Sequence, residues 1–158
     1  KDNSKFGVKI SIVKEQKFLG TIGGVWYAKK FINEDFVLTN GDIVSDIRYD
    51  EVLDYHHNLN SDITLAVNHH IQKISFGVVK TNGSKVEQII EKPVEKKYIN
   101  AGVYVFSKKV LKYLKKNKYN DVTNFINFLL TKRFKVNAFA LHEDWNDIGL
   151  KENLKKLK

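Results

Sequence analysis

An acid at residue 42 closes a short motif that could either turn the chain or bind a ligand. The motif Asn40-Gly41-Asp42 follows the apolar run Phe36-Val37-Leu38. Asn-Gly is the commonest two-residue hairpin turn, because both residues tolerate positive φ at little cost. If the apolar run is instead a buried parallel strand, Asp42 lies at its carboxyl end, where open α/β sheets bind their ligands. The flanking elements decide between these two interpretations.

Five other motifs consist of small, polar or charged residues that could take part in a ligand site. They are Leu19-Gly20-Thr21-Ile22-Gly23-Gly24, Phe76-Gly77-Val78-Val79, Glu91-Lys92-Pro93, Asn100-Ala101-Gly102 and Asp144-Trp145-Asn146-Asp147-Ile148-Gly149. Each also has a plain structural explanation. The first is compatible with an ordinary loop before a helix, the Glu-Lys pair with a weak surface ion pair, and Asp147 with a helix N-cap.

The order of elements around Asp42 favours the ligand-binding interpretation. Alternation over residues 8–13 predicts a strand, followed by the glycine loop and a helix around 24–32. Residues 35–39 form a continuous apolar run, which suits a parallel strand covered on both faces. Asp50 is a candidate N-cap for a helix with Val52, Leu53, His56 and Leu59 near one face, and residues 62–67 form another strand. Strand, helix and strand in this order predict a right-handed crossover, which places Asp42 at the carboxyl edge of a sheet.

The rest of the chain continues the α/β pattern. Residues 75–80 and 85–90 form a hairpin around Asn82-Gly83, where strands alternate on both sides of the turn. A strand over 99–106 precedes a lysine-rich amphipathic helix near 108–117. Asp121 is a candidate cap for a helix whose core face is Val122, Phe125, Ile126, Leu129 and Leu130. A last strand over 134–141, a loop over 142–149 and a terminal helix complete the prediction.

Composition restricts the class of protein. The 158 residues include no cysteine, so disulfide frameworks and thiolate zinc sites are excluded, and the cytoplasm is the default location. The net charge of +9 would favour polyanions, but the lysines concentrate on segments typical of solvated faces. The pairs His56-His57 and His69-His70 do not predict zinc, because adjacent side chains point in different directions. We expect neither nucleic acid nor a membrane as a partner.

Taken in order, these motifs resemble those of the sugar-1-phosphate nucleotidyltransferases, over nearly the whole chain from about residue 6. Members of this family join an NTP to a sugar 1-phosphate and release pyrophosphate. The resemblance implies a Rossmann-like, mixed and mostly parallel sheet flanked by helices, of the nucleotide-diphospho-sugar transferase type. It is nearest to the branch that forms GDP-sugars and to relatives that carry CBS domains. The base and the sugar are not determined by the sequence.

The resemblance assigns roles to individual residues. Asp42 and Asp147 would hold Mg²⁺, which needs few protein ligands besides water and phosphate oxygens. Lys92 would be a catalytic cation beside the sugar phosphate, and Glu91 would accept hydrogen bonds from the sugar. Trp145 is equally compatible with a wall of the site and with the core. The other substrate-binding positions are Leu19, Gly20 and Thr21 near the base, together with Gly41, Gly77, Asn100, Ala101 and Gly102.

The family also has a segment that this sequence does not contain. Its members begin with a strand and a Gly-x-Gly-x-x-x-Arg-x-x-Pro phosphate loop, followed by a Lys-Pro. We therefore expect residues 1–158 to be the C-terminal two-thirds of a single nucleotidyltransferase domain, incomplete at the N-terminus and inactive alone. Its expected partners are an NTP, a sugar 1-phosphate and possible copies of itself or the missing N-terminal segment.

Two other functions stay open at the level of sequence. A metal-dependent glycosyltransferase would consume a nucleotide sugar, but its Asp-x-Asp marker is absent because Asn40 occupies the first acidic position. A sugar-nucleotide-binding or regulatory remnant would lack catalysis altogether.

Overall fold

The computed structural model of the protein describes residues 7–149. The helices and strands, in chain order, are α1 (Gly20–Gly23), α2 (Val25–Ala28), β1 (Phe36–Thr39), β2 (Ile43–Ser45), α3 (Tyr49–Asn58), β3 (Ile63–Lys73), β4 (Val78–Asn82), β5 (Lys85–Ile90), β6 (Val94–Phe106), α4 (Val122–Thr131), β7 (Val136–Ala140) and β8 (Trp145–Asp147). Short 3-10 helices cover Lys29–Phe31 and Lys108–Tyr113. No helix in this part of the chain is both long and apolar enough to cross a membrane.

The central sheet has four strands in the order β1-β6-β3-β7. β6 is antiparallel to both β1 and β3, whereas β7 is parallel to β3. Three of the four strands, β1, β3 and β7, therefore run in the same direction, and β6 is inserted between two of them. This arrangement confirms the α/β class and the mixed, mostly parallel sheet flanked by helices.

Alternate side chains of β6 enter two separate cores, because successive residues of a strand point to opposite faces. Tyr104 and Phe106 pack on one face against the buried side of α4. Val103 and Val105 pack on the other face against Val52 of α3. Helices therefore cover both faces of the sheet at its centre, which explains why β1 and residues 63–67 of β3 are mostly apolar.

The two Asn-Gly dipeptides have different structures, as their neighbours predict. Gly83 and Ser84 form the two-residue turn between β4 and β5, and Asn82 lies opposite Lys85. Asn40 and Gly41 instead leave the carboxyl end of β1, which pairs with β6 and not with the strand that follows. The loop at Asp42 therefore lies at the sheet edge, as predicted.

Three predictions for the first half of the chain need correction. Residues 8–13 are not a strand. Alternation of apolar and polar residues is not sufficient, because a strand also needs a neighbouring strand for its backbone hydrogen bonds. The predicted helix around 24–32 begins earlier, at Gly20, and is divided into α1, α2 and a 3-10 turn. Asp50 lies in the first turn of α3 rather than at its N-cap, which is Arg48, and its carboxylate forms an ion pair with Arg48 at 2.7 Å. Leu59 follows the end of α3 and is exposed.

Predictions for the second half differ less. The lysine-rich segment forms only the 3-10 helix Lys108–Tyr113, and Asn117 has a φ of +55°, which a continuing α-helix does not allow. Asp121 is the N-cap of α4, as predicted, but Leu130 is exposed because it lies about 100° around the helix from Leu129. The last predicted strand is confirmed as β7. The predicted terminal helix lies outside the described residues.

A buried histidine joins α3 to the sheet. His56 is 1% exposed, and its Nδ1 and Nε2 lie 2.9 Å from Thr64 Oγ1 and 3.4 Å from Ser107 Oγ. Burial lowers the pKa of His56, although the carboxylate of Asp35, 3.6 Å from Nε2, acts in the opposite direction. The folded protein therefore holds this imidazole neutral.

The free energy of unfolding should fall as the pH is lowered from about 7 to 5, since the unfolded chain protonates His56 near pH 6.5 while the folded chain resists it. His56→Gln keeps a polar side chain and removes this titration, so its stability should depend less steeply on pH. The measurement is urea denaturation at both pH values. His70→Gln replaces an exposed histidine on β3 and should keep the wild-type slope. Equal slopes for all three proteins would contradict the assignment.

Candidate functional site

A short two-stranded ladder brings the two predicted metal-binding acids together. β2 pairs antiparallel with β8, and Ile43 lies opposite Asp147. The backbone N–H of Ile148 donates to the carbonyl of Asp42 over 2.9 Å. β8 was not predicted, because residues 142–149 have no strand pattern of their own and their sequence predicts a loop. This ladder is nevertheless the element that fixes Asp147 next to Asp42.

The two carboxylates flank a single point beside Gly149. A Cβ placed on Gly149 would lie 2.8 Å from Asp42 Oδ2 and 3.1 Å from Asp147 Oδ1. The separation of the two oxygens is therefore at most the sum of these distances. Asp147 Oδ1 also accepts the backbone N–H of Gly149 over 2.9 Å. Residues more than a hundred positions apart thus present carboxylates to the same space.

The donor chemistry of this pair fits a hard divalent cation. Two ionised carboxylates in such proximity repel one another, and a bound cation offsets that repulsion. Mg²⁺ is typically held by one or two carboxylates, with water and phosphate oxygens completing its shell. Within residues 7–149, no group of three or more His, Asp or Glu side chains is arranged to hold a metal ion. The pair therefore supplies two oxygen-donor side chains for such a cation, whose shell other oxygen ligands would complete.

An open groove of about 410 Å³ runs from Asp42 to the glycine loop. Its lining residues are Thr21, Thr39, Asn40, Gly41 and Asp42. The groove is comparable in volume to small-molecule sites, which span about 300–1,000 Å³. It places Thr21, predicted to lie near a base, on the same concave surface as Asp42 and Gly41.

Asn40 connects this groove to β6 through Gly102. The N–H of Asn40 donates to the carbonyl of Gly102 over 2.9 Å. Gly102 has a φ of +73°, and a Cβ there would lie 2.9 Å from Asn40 Nδ2. Asn100 is exposed, and its amide accepts the N–H of Gly102 and donates to the Tyr104 hydroxyl. One amide hydrogen and one lone pair of Asn100 remain for a ligand.

The predicted sugar-phosphate residues form a second group. A Cβ on Gly77 would lie 3.0 Å from Glu91 Oε2, so these two residues are neighbours. Lys92 is exposed between β5 and β6 and does not line the groove at Asp42. Its φ of +44° is uncommon for a residue with a side chain, and Pro93 follows it. Backbone strain of this kind is concentrated at functional sites, which is a reason to retain Lys92 as a candidate.

Contacts with Asn120 fix the position of the glycine loop, residues 19–24. Leu19 is fully buried, and its carbonyl accepts the N–H of Asn120 over 2.8 Å. Gly20 has a φ of +79°, and a Cβ there would lie 2.6 Å from the carbonyl oxygen of Asn120. Thr21 is exposed to the groove. Only glycine therefore fits at position 20, and the loop cannot shift without moving Asn120.

Two residues support the site: Asp121, which was not predicted as part of it, and Trp145, which the sequence left equally compatible with a wall of the site and with the core. Asp121 accepts the backbone N–H of Thr21, whereas the sequence suggested only a cap for its own helix. Trp145 donates its indole N–H to the carbonyl of Ala101 over 2.8 Å and packs against the second core. Trp145 is thus a support for β6, and Ala101 is buried beneath it. Neither contact has a local sequence signal, because each joins distant segments.

Comparison with known proteins gives a family match over the whole chain. The family model described as "Nucleotidyl transferase" matches residues 1–158. The mannose-1-phosphate guanylyltransferase catalytic subunit beta of Danio rerio is 29% identical over 153 residues, which are 92% of this chain and 42% of that protein. The bifunctional protein GlmU of Methanocaldococcus jannaschii is 31% identical over 149 residues, covering 89% of this chain and 35% of that protein.

A solved structure supports the fold. The crystal structure of HddC from Yersinia pseudotuberculosis matches with a TM-score of 0.64 and 26% identity, over 90% of this chain and 62% of HddC. The chain spans less than half the length of the two curated relatives described above.

Proposed function

Because this chain belongs to the nucleotidyl transferase family, we propose that the full-length protein transfers a nucleotidyl group from an NTP to a sugar 1-phosphate. The products are a nucleotide sugar and pyrophosphate. The observation that supports this reaction best is the approach of Asp42 and Asp147 to one point at the end of the groove lined by Thr21.

The reaction is a substitution at phosphorus. A phosphate oxygen of the sugar 1-phosphate forms a bond to the α-phosphorus of the NTP, and the bond from that phosphorus to the pyrophosphate oxygen breaks. Mg²⁺ held by Asp42 and Asp147 would neutralise the negative charge that accumulates on the reacting phosphates. The two carboxylates themselves fix where that charge is neutralised, because both are anchored to the β2-β8 ladder.

The chain's own residues orient the two substrates. We assign Leu19, Gly20 and Thr21 to the base, since Thr21 lines the groove and the buried Leu19 and Gly20 hold it in place. Gly41 lines the groove beside Asp42, and the buried Gly102 leaves room for the side chain of Asn40, which also lines the groove. Glu91, Gly77 and Asn100 are assigned to the sugar, the buried Ala101 to the support of Asn100, and Lys92 to the sugar's phosphate as a compact cation.

The substrate pair that we favour is a guanine nucleotide with mannose 1-phosphate. The Danio rerio relative is named for this activity, and the tail around Asp147 resembles the branch that forms GDP-sugars. A cytoplasmic location and binding to further copies of the chain belong to the same proposal.

The test is a pyrophosphate-release assay on the full-length protein with Mg²⁺. Each of GTP, UTP, CTP and dTTP is combined with the 1-phosphates of mannose, glucose and N-acetylglucosamine. We expect release that requires both substrates and is fastest with GTP and mannose 1-phosphate. A control reaction without sugar phosphate should release no pyrophosphate.

Other outcomes would point to the alternatives. Consumption of a nucleotide sugar only when an acceptor glycan is present would identify a glycosyltransferase. Binding of a nucleotide sugar without turnover in either direction would identify a catalytically inactive binding protein. Fastest release with UTP and N-acetylglucosamine 1-phosphate would keep the reaction class and overturn the choice of substrates.

A further inference from the structure

Two distant helix starts exchange hydrogen bonds in this fold. The backbone N–H of Val122, the first residue of α4, donates to Thr21 Oγ1 over 2.8 Å. The backbone N–H of Thr21, in α1, donates in return to Asp121 Oδ1 over 3.4 Å. N-caps normally act within one helix, because the cap side chain is local in sequence. Here Asp121 accepts a hydrogen bond from the backbone of α1, and Thr21 accepts one from the backbone of α4.

Backbone contacts on both sides reinforce this exchange. The N–H of Asn120 donates to the carbonyl of Leu19 over 2.8 Å, and the N–H of Ile22 donates to the carbonyl of Asn120 over 3.2 Å. We call residues 19–22 and 120–122 together the junction. Four hydrogen bonds therefore cross the junction within a few residues, and they alternate in direction.

The position of Asp121 is itself determined by a third residue. The hydroxyl of Tyr119 donates to Asp121 Oδ2 over 2.9 Å, and this hydrogen bond raises the pKa of Tyr119. One carboxylate oxygen of Asp121 is thus held by Tyr119, and the other is directed at the N–H of Thr21. The two oxygens can be tested separately.

Asp121 acts on the groove without lining it. Thr21 is among the residues that line the groove, whereas Asp121 is not. Loss of the Asp121 carboxylate would release the N–H of Thr21 and would also leave α4 without the acid at its N-cap position. The wall of the groove would then loosen, although no group that faces the substrate has been removed.

We infer that Asp121 is a positioning residue for the nucleotide: it holds the backbone of Thr21, lies against Gly20 and thereby sets the affinity for the NTP. This inference depends on the proposed function, because it takes the glycine loop as the base-binding wall. The sugar 1-phosphate is assigned to other residues, which make no hydrogen bond across the junction. Its affinity should therefore be insensitive to Asp121.

The kinetic test uses Asp121→Ala in the full-length protein. We expect the KM for the NTP to rise about tenfold, the size of effect seen when a helix cap is lost, while the KM for the sugar 1-phosphate stays within twofold. Asp121→Asn should restore most of the affinity, since its Oδ1 still accepts from Thr21. Tyr119→Phe, the matched control, removes the other hydrogen bond and should leave the KM for the NTP within threefold of wild type.

A second measurement separates this inference from the proposed function. Amide hydrogen exchange at Thr21 and Ile22 should be about tenfold faster in Asp121→Ala than in wild type, whether or not the protein has transferase activity. Asp121→Ser keeps a residue suited to the N-cap of α4 but is too short to reach Thr21, and serves if Asp121→Ala does not fold.

Two results would overturn the inference. Unchanged exchange at Thr21 and Ile22 would mean that Asp121 does not hold the loop. Faster exchange with equal increases in both KM values, or with a loss confined to kcat, would mean that the loop does not determine NTP affinity. If the wild type has no transferase activity but the exchange result holds, the proposed function fails while the structural coupling stands.

Discussion

Replacement of Asp42 by Asn is expected to lower the turnover of the full-length enzyme by about 10²–10³-fold, the loss typical when a strong electrostatic contact to the transition state is removed. Asn has almost the same shape, so the β2-β8 ladder and the groove should survive. The change removes one of the two negative charges that converge beside Gly149. Asp147→Asn removes the other, and its effect should be of similar size.

The measurement is kcat with saturating substrates and Mg²⁺, accompanied by the free energy of unfolding. Asp46→Asn is a suitable control, because Asp46 is an exposed acid just after β2 and only its backbone contacts Asp144. It should retain wild-type turnover. Wild-type rates in both Asp42→Asn and Asp147→Asn would refute the assignment of these acids to the metal.

Replacement of Gly102 by Ala is expected to lower the free energy of unfolding by about 2 kcal/mol, since a left-handed backbone conformation alone costs about 1–2 kcal/mol for a residue with a Cβ. The new methyl group would also meet Asn40 Nδ2 at 2.9 Å and Ile43 Cγ1 at 3.2 Å. Asn40 and Ile43 flank Asp42 in the chain, so turnover should fall together with stability.

Gly41, in the motif that packs against Gly102, provides a control. A Cβ on Gly41 would meet nothing within 4 Å, so Gly41→Ala should change the free energy of unfolding by less than about 0.5 kcal/mol. Urea denaturation of both variants measures the contrast. If Gly41→Ala is stable but slow, the methyl group obstructs a ligand and not the fold. Equal stabilities for the two variants would contradict the close packing at Gly102.

The sequence was sufficient to predict the elements whose signals are local. The apolar run before Asp42 indicated β1, and the crossover to β3 explained why its Asn-Gly does not close a hairpin. The second Asn-Gly predicted the β4-β5 turn, because alternating strands flank it on both sides. The strand and turn predictions depended on residues within about ten positions of each other, and the crossover on three elements that follow one another in the chain.

The elements that complete the site have no such local signal. β8 is only three residues long. It forms because Trp145, Asn146 and Asp147 pair with β2, which lies about a hundred residues earlier in the chain. The hydrogen bonds that join Thr21 to Asp121 and Val122 could not be predicted from the sequence for the same reason. Residues 8–13 show the opposite error, since they have the alternation of a strand without becoming one.

The brevity of the β2-β8 ladder has a thermodynamic consequence. Only three residue pairs hold Asp147 in register with Ile43, so the β2-β8 ladder by itself contributes little to the free energy of folding. A divalent ion held by both carboxylates would bind more tightly when β2 and β8 are paired than when they are apart. By mass action, metal binding would then favour the pairing of β2 with β8, and this pairing would favour metal binding. The segment that carries Asp147 would be most stable when the metal is bound.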